Sequence, residues 1–206
     1  MSSFLFSVRA WRVPFVTAVI GAILSLAFSL TSPMQYSATM RVLITQPSAS
    51  GLDPYTAIKS TERVASSLAE LVHTTTFMAS VLDQATGFDQ SYFPSDDYAR
   101  RQAWKRAVDT AIVPGTGIMT ATAYHLNRDQ ARILVDGTAK QLALQAPNYF
   151  GSTIRVQVID TPLNSRWFAR PDFVANGGFG FLIGGLVGMV WVLMKSIKHQ
   201  RREFAS

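Results

Sequence analysis

The chain has 206 residues, of which 48% are hydrophobic but only 16% charged, against roughly 25% charged in a typical soluble domain. The deficit comes from two uncharged runs, 13–32 and 173–194, each longer than the roughly 18 residues a helix needs to cross a hydrocarbon core, and this excludes a wholly soluble protein. The excess of 19 Lys+Arg over 13 Asp+Glu lies mostly in the two tails, which excludes a concentrated nucleic-acid-binding face, and the lack of cysteine excludes disulfides and thiolate ligands.

Residues 1–12 read as a cytoplasmic tail carrying Arg9 and Arg12, and 13–32 as a first membrane helix. Trp11 and Arg12 suit its cytoplasmic interface and Tyr36 the outer one. Pro14 falls in the first turn of that span, where a missing N–H costs little. A cleaved signal peptide is the competing reading; the run is longer than a signal core of roughly 7–15 residues and lacks a good cleavage pattern.

Segment 33–172 is long enough for one domain with its own core. In QYSATMRVLITQ, residues Tyr36, Ala38, Met40, Val42 and Ile44 alternate with mostly polar neighbours, as in a half-buried strand. A polar loop leads to Asp53-Pro54, a helix cap followed by proline, and then Ile58, Ala65, Leu68 and Val72 fall on one helix face. This helix falters at Thr74-Thr75-Thr76 and resumes through Phe77, Met78, Val81 and Leu82 towards Gly87. Asp96-Asp97 cap a short basic helix with Arg100, Arg101, Lys105 and Arg106. Two strand-like runs follow about the turn Pro114-Gly115-Thr116-Gly117. Asn127 caps a helix with Ala131, Leu134, Val135, Leu142 and Ala146 inward, and Ile154, Val156 and Val158 share a face of the last strand. The predicted fold is an α+β external domain, a small sheet covered by helices, between two transmembrane α-helices.

The second span, 173–194, holds Gly177, Gly178, Gly180, Gly184, Gly185 and Gly188. Gly180, Gly184 and Gly188 recur every fourth residue and so share a face on which another helix, from this chain or a neighbouring copy, packs closely. Trp167 and Asp172 mark its outer boundary. Residues 195–206 form a basic tail with Lys195, Lys198, Arg201 and Arg202, placing both termini in the cytoplasm and the middle segment outside it.

No constellation for catalysis emerges. His73, His125 and His199 stand in unrelated contexts, His73 at the end of a helix turn, His125 in a strand-to-helix loop and His199 in the cytoplasmic tail; no metal-spaced pair or phosphate-binding glycine loop is present, and spacing nominates no pair of facing carboxylates. No catalytic residue, metal or cofactor is expected, and the chain reads as a non-enzyme.

The order of these segments resembles the polysaccharide co-polymerase, or chain-length determinant (Wzz-type), family. The residues that carry the likeness are the helix ending in FMASVLDQATGFD, then GIMTATAYHLNRDQARILVDGTAKQL, and VQVIDTPLNSRWFARP before the glycine-rich span. NRDQARILVD stands where the family has a D-P-x-x-A helix start, with Ala131 kept and the proline absent. Pro162 and Pro171 stand in its proline-rich approach to the second span, without the usual tight spacing. The short external segment is similar to the co-polymerases that work with a separate cytoplasmic tyrosine kinase, or to a minimal base domain. The resemblance implies a homo-oligomer in the cytoplasmic (inner) membrane, in contact with membrane lipids, a polysaccharide polymerase and its lipid-linked glycan, that regulates the length of an O-antigen, capsule or exopolysaccharide. The competing expectation is a two-span adaptor or assembly protein of an envelope or secretion complex unrelated to polysaccharide.

Overall fold

The computed structural model describes residues 2–46, 54–151 and 154–203. They form two compact units, one made of 1–34 with 170–206 and the other of 35–169. The expected cap at Asp53 and its preceding loop lie outside the described residues, as do the side chains of Arg9, Lys198, His199, Arg201 and Arg202.

The first unit consists of helix α1 (Ser2–Ser29) and helix α6 (Phe173–Glu203), numbered in chain order with those below. Trp11–Ser29 and Phe173–Ile197 are long and apolar enough to cross a membrane. Because α1 already begins at Ser2, Pro14 lies well inside it and not in its first turn. Arg9 and Arg12 are good helix formers and do not stop the helix upstream of the apolar run. At the other end Asp172 caps α6, its carboxylate accepting from the Ala175 N–H at 2.9 Å.

In the second unit the strands are β1 (Tyr36–Thr45), β2 (Val108–Val113), β3 (Ile118–His125), β4 (Arg155–Val158) and β5 (Leu163–Asn164). The sheet is antiparallel in the order β2-β3-β1-β4, with β5 joining β1 beside β4. Period-two side chains divide it into faces. Ala38, Met40, Val42 and Ile44 of β1 and Met119, Ala121 and Ala123 of β3 are buried, whereas Thr39, Leu43, Thr120 and Thr122 on the other face remain partly exposed. Small Ala38, Ala121 and Ala123 allow the helices to approach the strands closely.

Helices α2 (Pro54–Val72), α3 (Thr75–Gln84), α4 (Asp97–Ala107) and α5 (Arg128–Phe150) supply the rest of the core. Each fully buried aliphatic side chain contributes about 1.5–3 kcal/mol. Leu68 and Val72 therefore hold α2 in place more firmly than its polar sequence would. Ile58 does not share their burial: it is 46% exposed, at the rim of a surface cavity that it lines together with Ile44 and Thr61. Thr74 ends the break between α2 and α3 by accepting from the Phe77 N–H, and Asp96 and Asn127 cap α4 and α5 in the same manner. Val158 is 42% exposed while Ile154 and Val156 are buried, since the edge strand β4 runs past the end of the core.

Gly117 has φ +67, and its carbonyl accepts from the Ile44 N–H at 2.9 Å. A Cβ there would lie 2.8 Å from the Ile44 carbonyl oxygen and 2.9 Å from Thr61 Cγ2. Gly115, with φ +75, faces open space. Gly117→Ala is therefore expected to destabilise by about 3 kcal/mol, combining left-handed strain with overlap, and Gly115→Ala by about 1–2 kcal/mol. Urea midpoints of the two variants check the difference.

Candidate functional site

The glycines of α6 lie against α1. A Cβ at Gly184 would stand 3.0 Å from Ala18 Cα and nearer still to the Thr17 carbonyl oxygen, and one at Gly188 would stand 2.7 Å from Pro14 Cα. At Gly180 it would meet Ser25 Cβ and the Gly21 carbonyl. On α1 the facing residues Thr17, Gly21 and Ser25 are themselves spaced by four, a small-residue signal visible in the sequence and overlooked there. With no Cβ on one side and small residues on the other, the two backbones come into direct contact. In lipid, such contact supplies dispersion and weak inter-helix hydrogen bonds where no hydrophobic drive exists.

Polar groups fix the register of the same pair. The Ser25 hydroxyl donates to the Asn176 carbonyl at 2.7 Å, and the Asn176 amide donates to Ser29 Oγ at 2.9 Å. Thr17 satisfies its own hydroxyl on the Val13 and Pro14 carbonyls, and the latter two lie beside the position where proline removes a helix N–H. On one flank the pair leaves an apolar groove of about 480 Å³ lined by Trp11, Phe15, Ala18, Phe181, Gly185 and Met189, among others. Its lining is almost wholly apolar.

Within the second unit, the titratable groups are arranged for packing. His125 is the last residue of β3, not part of a loop, and is only 6% exposed. Its ring lies 4.1 Å from that of Tyr92 and 5.8 Å from that of Phe88. Its Nδ1 accepts from the Asn127 N–H at 3.0 Å, while Nε2 has no partner among the described residues. Burial pushes the pKa of His125 down, opposed in part by the Asp89 carboxylate, and burial also lowers that of His73 next to Glu70, Asp109 and Lys105. No group of three or more His, Asp or Glu side chains with metal-binding geometry occurs among the described residues. On α4, Arg101 donates to Thr75 Oγ1 at 2.7 Å and so ties α4 to α3, and Arg100 buries its Nε. The basic face is thus partly used in packing.

The two histidines set a pH dependence. Their folded-state values lie below the ordinary value of about 6.5, so on acidification the unfolded chain takes up protons first. Stability is full above about pH 6.5 and falls as the pH drops through the folded-state values. For His125 a proton on Nδ1 also sets N–H against the Asn127 N–H and loosens the cap of α5. Urea midpoints of the full chain in detergent between about pH 7.5 and about pH 5 are expected to fall, with a shallower decline in His125→Gln.

No protein-family model and no curated protein matches the sequence.

Proposed function

We propose that the chain is a non-enzymatic membrane scaffold that regulates the chain length, polymerisation or export of a lipid-linked surface polysaccharide. In this reading α1 and α6 span the inner membrane with both termini in the cytoplasm, and the α+β unit stands outside it as part of a homo-oligomer. The observation that carries the proposal is the close-packed helix pair bracketing a unit whose own ends meet: the Ala169 N–H donates to the Gln35 carbonyl at 2.8 Å. Such a unit can be held by two adjacent spans and set side by side with copies of itself. Support for polysaccharide as the cargo comes from the resemblance in segment order and the quoted motifs. The polymerase and its lipid-linked product are the proposed partners. A separate tyrosine kinase reaching the basic tail is a further one, tested by deleting residues 196–206.

Surface polysaccharide from a deletion strain, resolved by size on a gel, tests the reading. A changed modal length supports it. An unchanged ladder together with the loss of a secreted protein favours the adaptor instead.

A further inference from the structure

At the chain ends of the α+β unit, aromatic and cationic side chains gather on one surface. The Tyr36 ring has Phe168 at 4.6 Å and the Arg128 guanidinium 4.4 Å from its centroid. Arg128 also donates to the Arg166 carbonyl. Trp167, between Arg166 and Phe168, is 82% exposed, and Leu126 beside Arg128 is 51% exposed. Neither Arg128 nor Arg166 pairs with a carboxylate among the described residues, as Lys59 does with Glu62 and Lys140 with Asp136.

Trp167 thus stands nearly bare beside two arginines that have no carboxylate partner among the described residues. Indole and phenol rings prefer the headgroup zone of a bilayer, where one edge is wet and the other apolar, and arginines there meet lipid phosphates. Trp167 precedes the apolar helix α6 by only six residues of chain, 167 to 173, too few to carry it far from that helix's outer end. We infer that Tyr36, Arg128, Arg166, Trp167 and Phe168 form a platform that docks on the headgroups of an anionic phospholipid surface. Phe168 and Arg128 brace Tyr36, Arg128 in turn anchors the 166–168 segment through its carbonyl contact, and Trp167 is left to enter the interface. This inference rests on the two-span reading and is independent of any role in polysaccharide synthesis.

The test uses the full chain with Trp11→Phe and Trp191→Phe, reconstituted in phosphatidylcholine vesicles with or without phosphatidylglycerol. Of the remaining indoles, Trp104 is fully buried and gives a constant background that Trp167→Phe isolates. Lipid brominated near the headgroup is expected to quench Trp167, more strongly with phosphatidylglycerol. Arg128→Gln with Arg166→Gln should shift the ratio of lipid-facing to water-facing indole about fivefold or more towards water. Quenching by aqueous iodide in place of brominated lipid, or lipid quenching indifferent to both phosphatidylglycerol and the two arginines, overturns the inference. Flotation of the chain with the vesicles reports separately on the membrane spans themselves.

Discussion

In the cysteine-free chain, Ala18→Cys with Gly185→Cys is expected to close a disulfide on mild oxidation, and adding Gly184→Leu to lower its yield sharply. A Cβ at Gly185 lies 3.6 Å from Ala18 Cβ, inside the roughly 3.5–4.5 Å that a disulfide requires. At Gly184 the first side-chain atom already collides with the backbone of Thr17 and Ala18, which cannot rotate aside as a side chain can. The helices must part before the remaining leucine carbons find space. Overpacking of about 1–3 kcal/mol lowers the cross-linked fraction by about fivefold to a hundredfold. Gly178 has nothing within 4 Å, so Gly178→Leu leaves the disulfide intact. Gel mobility with and without reductant reads all three results. A persistent disulfide in the Gly184→Leu chain would show that the two helices admit the leucine without parting, and would overturn the backbone contact at Gly184. Since α1 of the same chain occupies the stripe, Gly184→Leu acts within the protomer first and on any assembly of copies only second.

Trp104→Ala is expected to be the most damaging single substitution in the α+β unit. The indole is fully buried, packs 5.9 Å from the ring of Phe93, and donates to the Val72 carbonyl at 2.8 Å. Truncation removes about 3–5 kcal/mol of packing and leaves a buried carbonyl at the end of α2 without its donor, at about 1–3 kcal/mol. Set against a total stability of about 5–15 kcal/mol, that brings the unit near its unfolding threshold. Trp167→Ala, on an exposed ring, changes stability by about 0.5 kcal/mol or less. Denaturation followed by far-ultraviolet circular dichroism in detergent distinguishes the two, and similar midpoints for both would overturn the assignment of Trp104 as the keystone.

Much of the local structure was legible in the sequence because it depends on near neighbours. The alternation in β1, the caps Asp96 and Asn127, and the turn before Ile118 are all short-range signals. What escaped depends on contacts between distant segments. β5 is two residues long and exists because Ser37 and Ser165 exchange hydrogen bonds across β1, which no periodicity announces. His125 reads as a polar loop residue until Phe88 and Tyr92 close over it. In the helix pair, the glycine spacing marked a close-packing face on α6. The matching face on α1 is less visible, because Thr17 and Ser25 look like ordinary polar interruptions until Gly21 is seen between them.

The position of β1 in the sheet has a consequence for how the chain is made. It precedes the other strands of its sheet in the chain, yet both its neighbours come late: Tyr36 pairs with His125, and Val42 with Val158. Contacts so remote in sequence close slowly, and until they close the central strand has two open edges of unpaired N–H and C=O groups, beside an apolar face, that invite pairing with another chain. A chain interrupted before Arg155 lacks the partner for 42–45 and keeps one of those edges. Only when residues 155–164 are present can the sheet close β1 along its second edge.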